Sequence, residues 1–466
     1  MPKITFMGAG STVFAINVLG DSMLSPALQS SRIALYDIDA TRLAESERII
    51  GTLNRNINKG RAKITAHCGV RNRKAALDGA DFVINAIQVG GYKPSTVIDF
   101  EAPKKYGLRQ TIGDTLGIGG IFRALRTIPV MLDFARDMEE VCPDAWFLTY
   151  SNPMAMLTGA MLHGTGVKTV GLCHSVQGCA RGLLWELGLD KSVKDLKWHI
   201  AGINHQAWLL EVKDGRRDLY PEIKRRAAAT LKAAAHKGFA ELWERGTKHG
   251  RTSFWADHRN AAKQDLVRLD LMLRFGHYVT ESSEHNAEYM PYFIKATHPE
   301  LIDHYNIPLD EYPRRCVHQI KGWKKLCRKL LGDKNLPHTK SHEFGAPIME
   351  AIATGTPIRV HGNIVNHGLI TNLPAKAIVE VPCLVDRNGV QGCYVGDLPE
   401  QCAALNRTNI NPQLVTIEAA LTRKKDLVYN AAMLDPHTSS ELSLDQIVSL
   451  CDDLIKAHGN MLPTYR

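Results

Sequence analysis

Lys3-Ile4-Thr5-Phe6-Met7-Gly8-Ala9-Gly10-Ser11-Thr12 is the stretch that decides the fold. A short strand pattern runs straight into a Gly-Ala-Gly-Ser turn, and from Thr12 to Leu24 the apolar spacing becomes helical. The first glycine permits a tight turn. The second lets backbone approach a pyrophosphate at the helix N-terminus, where unpaired N–H groups gather partial positive charge. Val13 stands where the usual fingerprint has its third glycine, so the turn alone is weak evidence. A second strand pattern ends in Tyr36-Asp37-Ile38-Asp39, which places a carboxylate at a strand tip. Asp37 follows Gly10 by 27 residues, longer than the usual spacing, and the Asp21–Ser31 stretch absorbs the excess. A carboxylate there accepts from a ribose 2′-hydroxyl and repels a 2′-phosphate. Gly8, Gly10, Ser11 and Asp37 therefore predict an NAD site, the plainer alternative being a surface aspartate that ends a strand.

Working outward, strand patterns recur at Ile33–Asp37, Ala62–His67, Asp81–Ile87, Ala145–Tyr150 and Thr169–Cys173. Helical patterns fall between them, at Ala40–Asn58, Arg71–Leu77, Gly120–Glu140 and Pro153–His163. Strands alternating with helices predict an α/β fold, a Rossmann-like doubly wound parallel sheet with ligands at the carboxyl ends of its strands. From about Leu196 the character changes. Strands are predicted at Trp198–Ile200 and Ala207–Val212 with a turn over Gly202-Ile203-Asn204-His205. More follow near Ile358–Val360 and Ala377–Val385, then a helical C-terminus from Asn411 to His458. The division expected is a dinucleotide-binding domain over 1–195 and an α+β lobe for substrate, metal and oligomerisation over 196–466, with the active site between them.

Composition limits the function classes. At 466 residues, with 44% hydrophobic and 23% charged, the chain is ordinary globular protein large enough for two packed lobes. No run approaches the roughly 18 to 20 apolar residues of a membrane span. The strand pattern beginning at Lys3 leaves no room for a signal peptide, so a cytoplasmic protein is expected. Ten scattered cysteines without a CxxC pair predict free thiols rather than a disulfide framework. The net charge of +9 sits largely in Lys224–Arg251 and Arg314–Lys329, both at helical spacing. They read as solvated faces of amphipathic helices, and no recognition motif argues for nucleic acid.

Four further strings are more particular. They are Ile112-Gly113-Asp114-Thr115-Leu116-Gly117-Ile118-Gly119-Gly120 with Arg123-Ala124-Leu125-Arg126; Tyr150-Ser151-Asn152-Pro153-Met154; Gly171-Leu172-Cys173-His174-Ser175-Val176-Gln177-Gly178; and Ala201-Gly202-Ile203-Asn204-His205. In order and spacing the chain resembles, end to end, the NAD-dependent glycoside hydrolases of family 4. Its Cys-His-Ser-Val string and Thr280-Glu281-Ser282-Ser283-Glu284-His285 look like the melibiose-type α-galactosidase branch.

The resemblance implies Cys173 and His205 as metal ligands and Mn²⁺ as the ion. By themselves a thiol and an imidazole 32 residues apart specify no metal. Asn152 is implied to reach both nicotinamide and sugar hydroxyls, and Asp114 to stand on the leaving side of the sugar. Without the likeness, Asn152 reads as a turn residue and Asp114 as a turn or capping aspartate. His174, where the phospho-glycosidase branch has aspartate, is a plausible acid and sugar contact. For the base, Asp265 is favoured, with Tyr278 the alternative. Arg268, three residues on from Asp265, is expected to position the sugar or a carboxylate, although an ordinary ion pair explains both residues equally well.

The expected reaction is hydrolysis of a small α-galactoside by transient oxidation at C3, deprotonation at C2 and elimination from C1, with NAD recycled. Alternatives are an α-galacturonidase or α-glucosidase of the same family, a lactate/malate-type dehydrogenase, and a non-enzymatic NAD-sensing regulator. The likeness further implies a homodimer or homotetramer.

Overall fold

The structure, a computed structural model, describes residues 1–234 and 265–466. Its centre is one mixed sheet. Six parallel strands, β1 (Lys3–Met7), β2 (Arg32–Asp37), β3 (Lys63–Cys68), β4 (Phe82–Asn85), β5 (Trp146–Thr149) and β6 (Lys168–Gly171), lie in the order 3-2-1-4-5-6. That is the dinucleotide-binding order, and its strand-order reversal falls between β1 and β4. The central strands are buried throughout, as in Phe82-Val83-Ile84-Asn85. Such a sheet needs helices on both faces, and the chain supplies them between successive strands. Thr12–Leu24 and Ala40–Asn58 occupy the predicted residues. Asp39 caps the second, accepting from the backbone N–H of Thr41 at 3.0 Å and of Arg42 at 3.1 Å.

The same sheet continues into an antiparallel half: β7 (Leu196–Ile203), β8 (Gln206–Asp214), β9 (Arg217–Asp218), β10 (Tyr278–Val279), β11 (Ile358–Val365), β12 (Ile378–Asp386) and β13 (Gly389–Gly392). The β6–β11 junction rests on the pair Asn363–Gly171, and the β12–β7 junction on Glu380–Gly202. Between these two seams β11 and β12 pair from Ile358 opposite Val385 to Val365 opposite Ile378. The antiparallel strands extend the first sheet instead of building a second one. The helix Glu400–Thr422 packs back on Gly117–Val141 and Met154–Gly164 of the first half.

β7 and β8 outrun their predicted lengths because the backbone stays paired through Gly202 and Ile203. The turn shrinks to Asn204-His205, and His205 takes a φ of 62°. Of the two basic stretches, Arg314–Lys329 lies within the helix Glu311–Gly332, where Lys321, Lys324, Lys325, Arg328 and Lys329 are exposed. The described part of the other belongs to the helix Tyr220–Ala234, and the rest lies outside the described residues. All ten cysteines are free. Among the described residues no helix is long and apolar enough to cross a membrane.

Candidate active site

The carboxyl ends of the parallel strands gather the first group of predicted residues. Gly8 has a φ of +87°, and a Cβ there would lie 2.8 Å from the Ala86 carbonyl oxygen, so only glycine fits. Gly10 donates its N–H to Asp37 Oδ2 at 2.7 Å, and Asp39 donates its N–H to Asp37 Oδ1 at 2.9 Å. Asp37 thus ties the glycine turn to the tip of β2. Ser11 precedes the helix Thr12–Leu24 without capping it through its side chain. Val13 is half exposed, so the β-branched residue at the missing third glycine meets no obstacle.

Further along the same edge, Cys173 follows β6, His205 occupies the β7–β8 turn, and Glu281 follows β10. One ligand atom from each of these three lies within 4.8 Å of the others. His205 and Glu281 both adopt left-handed backbone, φ 62° and 66°, a cost of order 1 kcal/mol or more that surrounding structure must offset. The Nδ1 of His205 meets the Tyr289 hydroxyl at 3.0 Å, while Nε2 faces Glu281 Oε2 at 3.5 Å.

The charges of this group are interdependent. Burial opposes the charged His205 ring, yet the Cys173 thiol and Glu281 push it up to about 10. Burial likewise opposes the thiolate and the carboxylate. The His205 charge nevertheless holds the Cys173 thiol below its usual value and, with His285 and Arg268, brings Glu281 down to about 2. A thiol biased toward its thiolate, an anionic oxygen and an imidazole that can give up its proton make a set that a divalent cation fits.

His285 joins this group to the glycine-rich string. Its Nδ1 lies 2.8 Å from Ser282 Oγ and 3.5 Å from Glu281, and its Nε2 lies 3.9 Å from Asp114 Oδ1. Burial lowers the His285 ring to about 4, so it is neutral at ordinary pH. Asp114 accepts from the Thr115 hydroxyl at 2.8 Å and from the Asn152 amide at 3.5 Å. Burial penalises its charge, but Arg123, His285 and His205 hold its carboxyl low. Arg123 also donates to the Asn152 carbonyl at 3.0 Å and to the Tyr312 hydroxyl at 3.2 Å. Cys173, His205, Asp114 and Asn152 are thereby linked through side chains of one site. His174, at the start of the next helix, meets Glu343 Oε2 through its Nε2 at 2.7 Å.

Asp265, Arg268 and Tyr278 form a separate buried network. Asp265 accepts from Arg268 Nε, the Tyr278 hydroxyl and, at 2.9 Å, the Ser283 hydroxyl. The Arg268 guanidinium lies 4.6 Å from the centre of the Tyr278 ring. Tyr278 has no exposed surface and Asp265 only 3%, so both are bonded to this network and shut away from solvent. Among the described residues Arg268 bears on the Cys173–His205–Glu281 group through its charge, which acts on Glu281.

Sequence reasoning left Glu281, His285, Tyr289 and Glu343 without roles. Two of them lie inside the Thr280–His285 string, where the sequence showed similarity but gave no spacing that marks a ligand. Glu343 carries no sequence signal at all, because 169 residues separate it from His174.

A family model described as "Family 4 glycosyl hydrolase" matches residues 3–189, and one for its C-terminal domain matches 200–438. The chain is 58% identical to an α-galactosidase of Bacillus subtilis (strain 168) over 100% of both chains. It is 33% identical to an α-galactosidase of Rhizobium meliloti (strain 1021), over 99% of this chain and 89% of that one. A crystal structure of a 6-phospho-α-glucosidase from gut microorganisms in complex with NAD and Mn²⁺ superimposes with a TM-score of 0.77 at 20% identity, covering 100% of both chains.

Proposed function

The chain belongs to the family 4 glycosyl hydrolases, and from that premise we propose that it hydrolyses small α-galactosides such as melibiose, using NAD and a divalent ion, Mn²⁺. The observation that carries the reading is the convergence of Cys173, His205 and Glu281 beside Asp114 and Asn152, at the carboxyl edge of a dinucleotide-type sheet. Gly8, Gly10, Ser11 and Asp37 would hold NAD, with Asn152 near its nicotinamide. Cys173 and His205, joined by Glu281, would hold the metal. The division of labour follows, residues 1–195 serving the cofactor and 196–466 the sugar, the metal and self-association.

When bound, the dinucleotide accepts a hydride from C3 of the sugar and returns it, while the ion polarises the neighbouring sugar oxygens. The protein moves the protons. His174 protonates the departing glycosidic oxygen. For removal of the C2 proton the geometry favours His285 over Asp265 and Tyr278. Its Nδ1 is held by Ser282, but its Nε2 stands 3.9 Å from Asp114, whereas the oxygens of the other two are committed to each other, Arg268 and Ser283. Asp114 and Asn152 orient the sugar hydroxyls. Arg268 acts on the site through its charge, and because that charge is already paired with Asp265, a neutral galactoside is favoured over a galacturonide.

The free thiols support a reducing, cytoplasmic setting, and we place the chain there as a homodimer or homotetramer. The test is a panel of nitrophenyl α-galactoside, α-glucoside and α-galacturonide, with and without NAD⁺, Mn²⁺ and thiol reductant. Cleavage of the galactoside that needs all three additions is expected. Equal cleavage without NAD⁺, or preference for another sugar, overturns the reading.

A further inference from the structure

Asp21 lies on the helix Thr12–Leu24, the helix that opens at the glycine turn, and is only 4% exposed. Val18, Leu19 and Met23 around it are buried apolar residues. A carboxylate in such surroundings is costly unless its oxygens are fully bonded, and here every bond comes from one distant loop. His338 donates through Nε2 at 2.7 Å, and Ser341 donates its backbone N–H at 2.8 Å and its hydroxyl at 2.5 Å. The Ser341 hydroxyl oxygen accepts the N–H of Glu343 at 3.1 Å, and Glu343 holds His174 at 2.7 Å. The adjacent Gly20 is shaped to the same loop, since a Cβ there would lie 2.7 Å from His338 Nε2.

We propose that Asp21 is a positioning residue for His174: from the cofactor-binding helix it folds the 338–344 loop that brings Glu343 to the imidazole. The His174 side chain is about half exposed, so the carboxylate of Glu343 restricts a ring that would otherwise turn freely. Ser341 is the joint of the relay, bonded to Asp21 on one side and to the Glu343 backbone on the other. The inference deepens the reading of His174 as the proton donor to the departing oxygen and rests on it.

The experiment uses the full enzyme with NAD⁺ and Mn²⁺. Asp21→Asn, Ser341→Ala and Glu343→Gln are each made alone and in a His174→Gln background. A positioning role predicts that Asp21→Asn lowers kcat on melibiose by about ten- to a hundredfold, with KM little changed, and that it costs nothing further once His174 is gone. Ser341→Ala, the milder change, serves if Asp21→Asn does not fold. The imidazole N–H proton of His174, followed by NMR with labelled histidine and with diamagnetic Mg²⁺ in place of Mn²⁺, should shift in all three single variants. An unshifted signal in Asp21→Asn and Ser341→Ala, or an equal loss of kcat with and without His174, overturns the proposal. Wild-type activity in His174→Gln alone, with the signal still shifted by Asp21→Asn, leaves the positioning intact and overturns instead the reading of His174 as acid.

Discussion

At the scale of single residues, the candidate metal site makes the sharpest demand. The charge of His205 favours both the thiolate and the carboxylate, which oppose one another, and removing either leaves the others poorly matched to a cation. Cys173→Ser and Glu281→Gln should each weaken Mn²⁺ binding by about tenfold or more, with the circular dichroism spectrum unchanged. Metal affinity measured by calorimetry checks this, and wild-type affinity in both variants removes the site. Asp37 accepts from the N–H groups of Gly10 and Asp39, and the proposed function gives it a ribose hydroxyl as well. Asp37→Ala should therefore weaken NAD binding by about 1 to 3 kcal/mol and also lower Tm, because the turn loses its tie to β2. Fluorescence titration with NADH and a thermal melt separate the two effects.

At the scale of elements, the helix Ser175–Glu186 starts beside Cys173 and ends at Glu186, which faces the Asp265 network. Burial first, and then the Asp265 charge, push Glu186 up to about 9. The folded protein thus keeps a proton that the unfolded chain releases near the ordinary carboxylate value. Stability from this group is complete below that value, falls as pH rises toward about 9, and levels off above it. Glu186→Gln copies the protonated acid and should flatten that loss. Melting temperatures of the variant and the parent should converge in acid and separate toward alkaline pH; parallel curves would mean that Glu186 is ionised in the fold. The element scale is also where the sequence was most legible. The helices at Thr12–Leu24 and Ala40–Asn58 follow from periodicity, and the inner strands of the first half from the plain apolar runs that a parallel sheet buried on both faces leaves, while the edge strand Lys63–Cys68 is largely exposed. The site was legible only in part. Cys173 and His205 sat in strings that carried a family likeness. Glu281 and His285 are brought in by a backbone turn at positive φ, and Glu343 by a loop pinned from a distant helix, neither of which has a period to read.

For the molecule as a whole, the proposed chemistry differs from displacement at C1 by an isotope signature. Displacement never breaks the C2–H bond, whereas elimination after oxidation at C3 must. Hydrolysis of melibiose in D₂O should give galactose with deuterium at C2 and none at C3, and NADH absorbance should not accumulate during turnover. In His285→Ala, hydride transfer from C3 to NAD⁺ should persist, read as enzyme-bound NADH, while solvent exchange at C2 drops by about a hundredfold or more. Product carrying only protium at C2 at the full rate excludes the route.

The two seams of the sheet bear on how such a protein can change. The parallel half meets its neighbour through Gly171 and Asn363, and the next junction is carried by Glu380 and Gly202. Each seam joins two longer ladders through a single residue pair, so few ladder hydrogen bonds constrain the length and twist of the strands beyond it. A lineage could then exchange one sugar for another by remodelling the far ladder and its loops. The same boundary gives an engineer a place to recombine halves from relatives, with Asn363 and Glu380 kept as the joint.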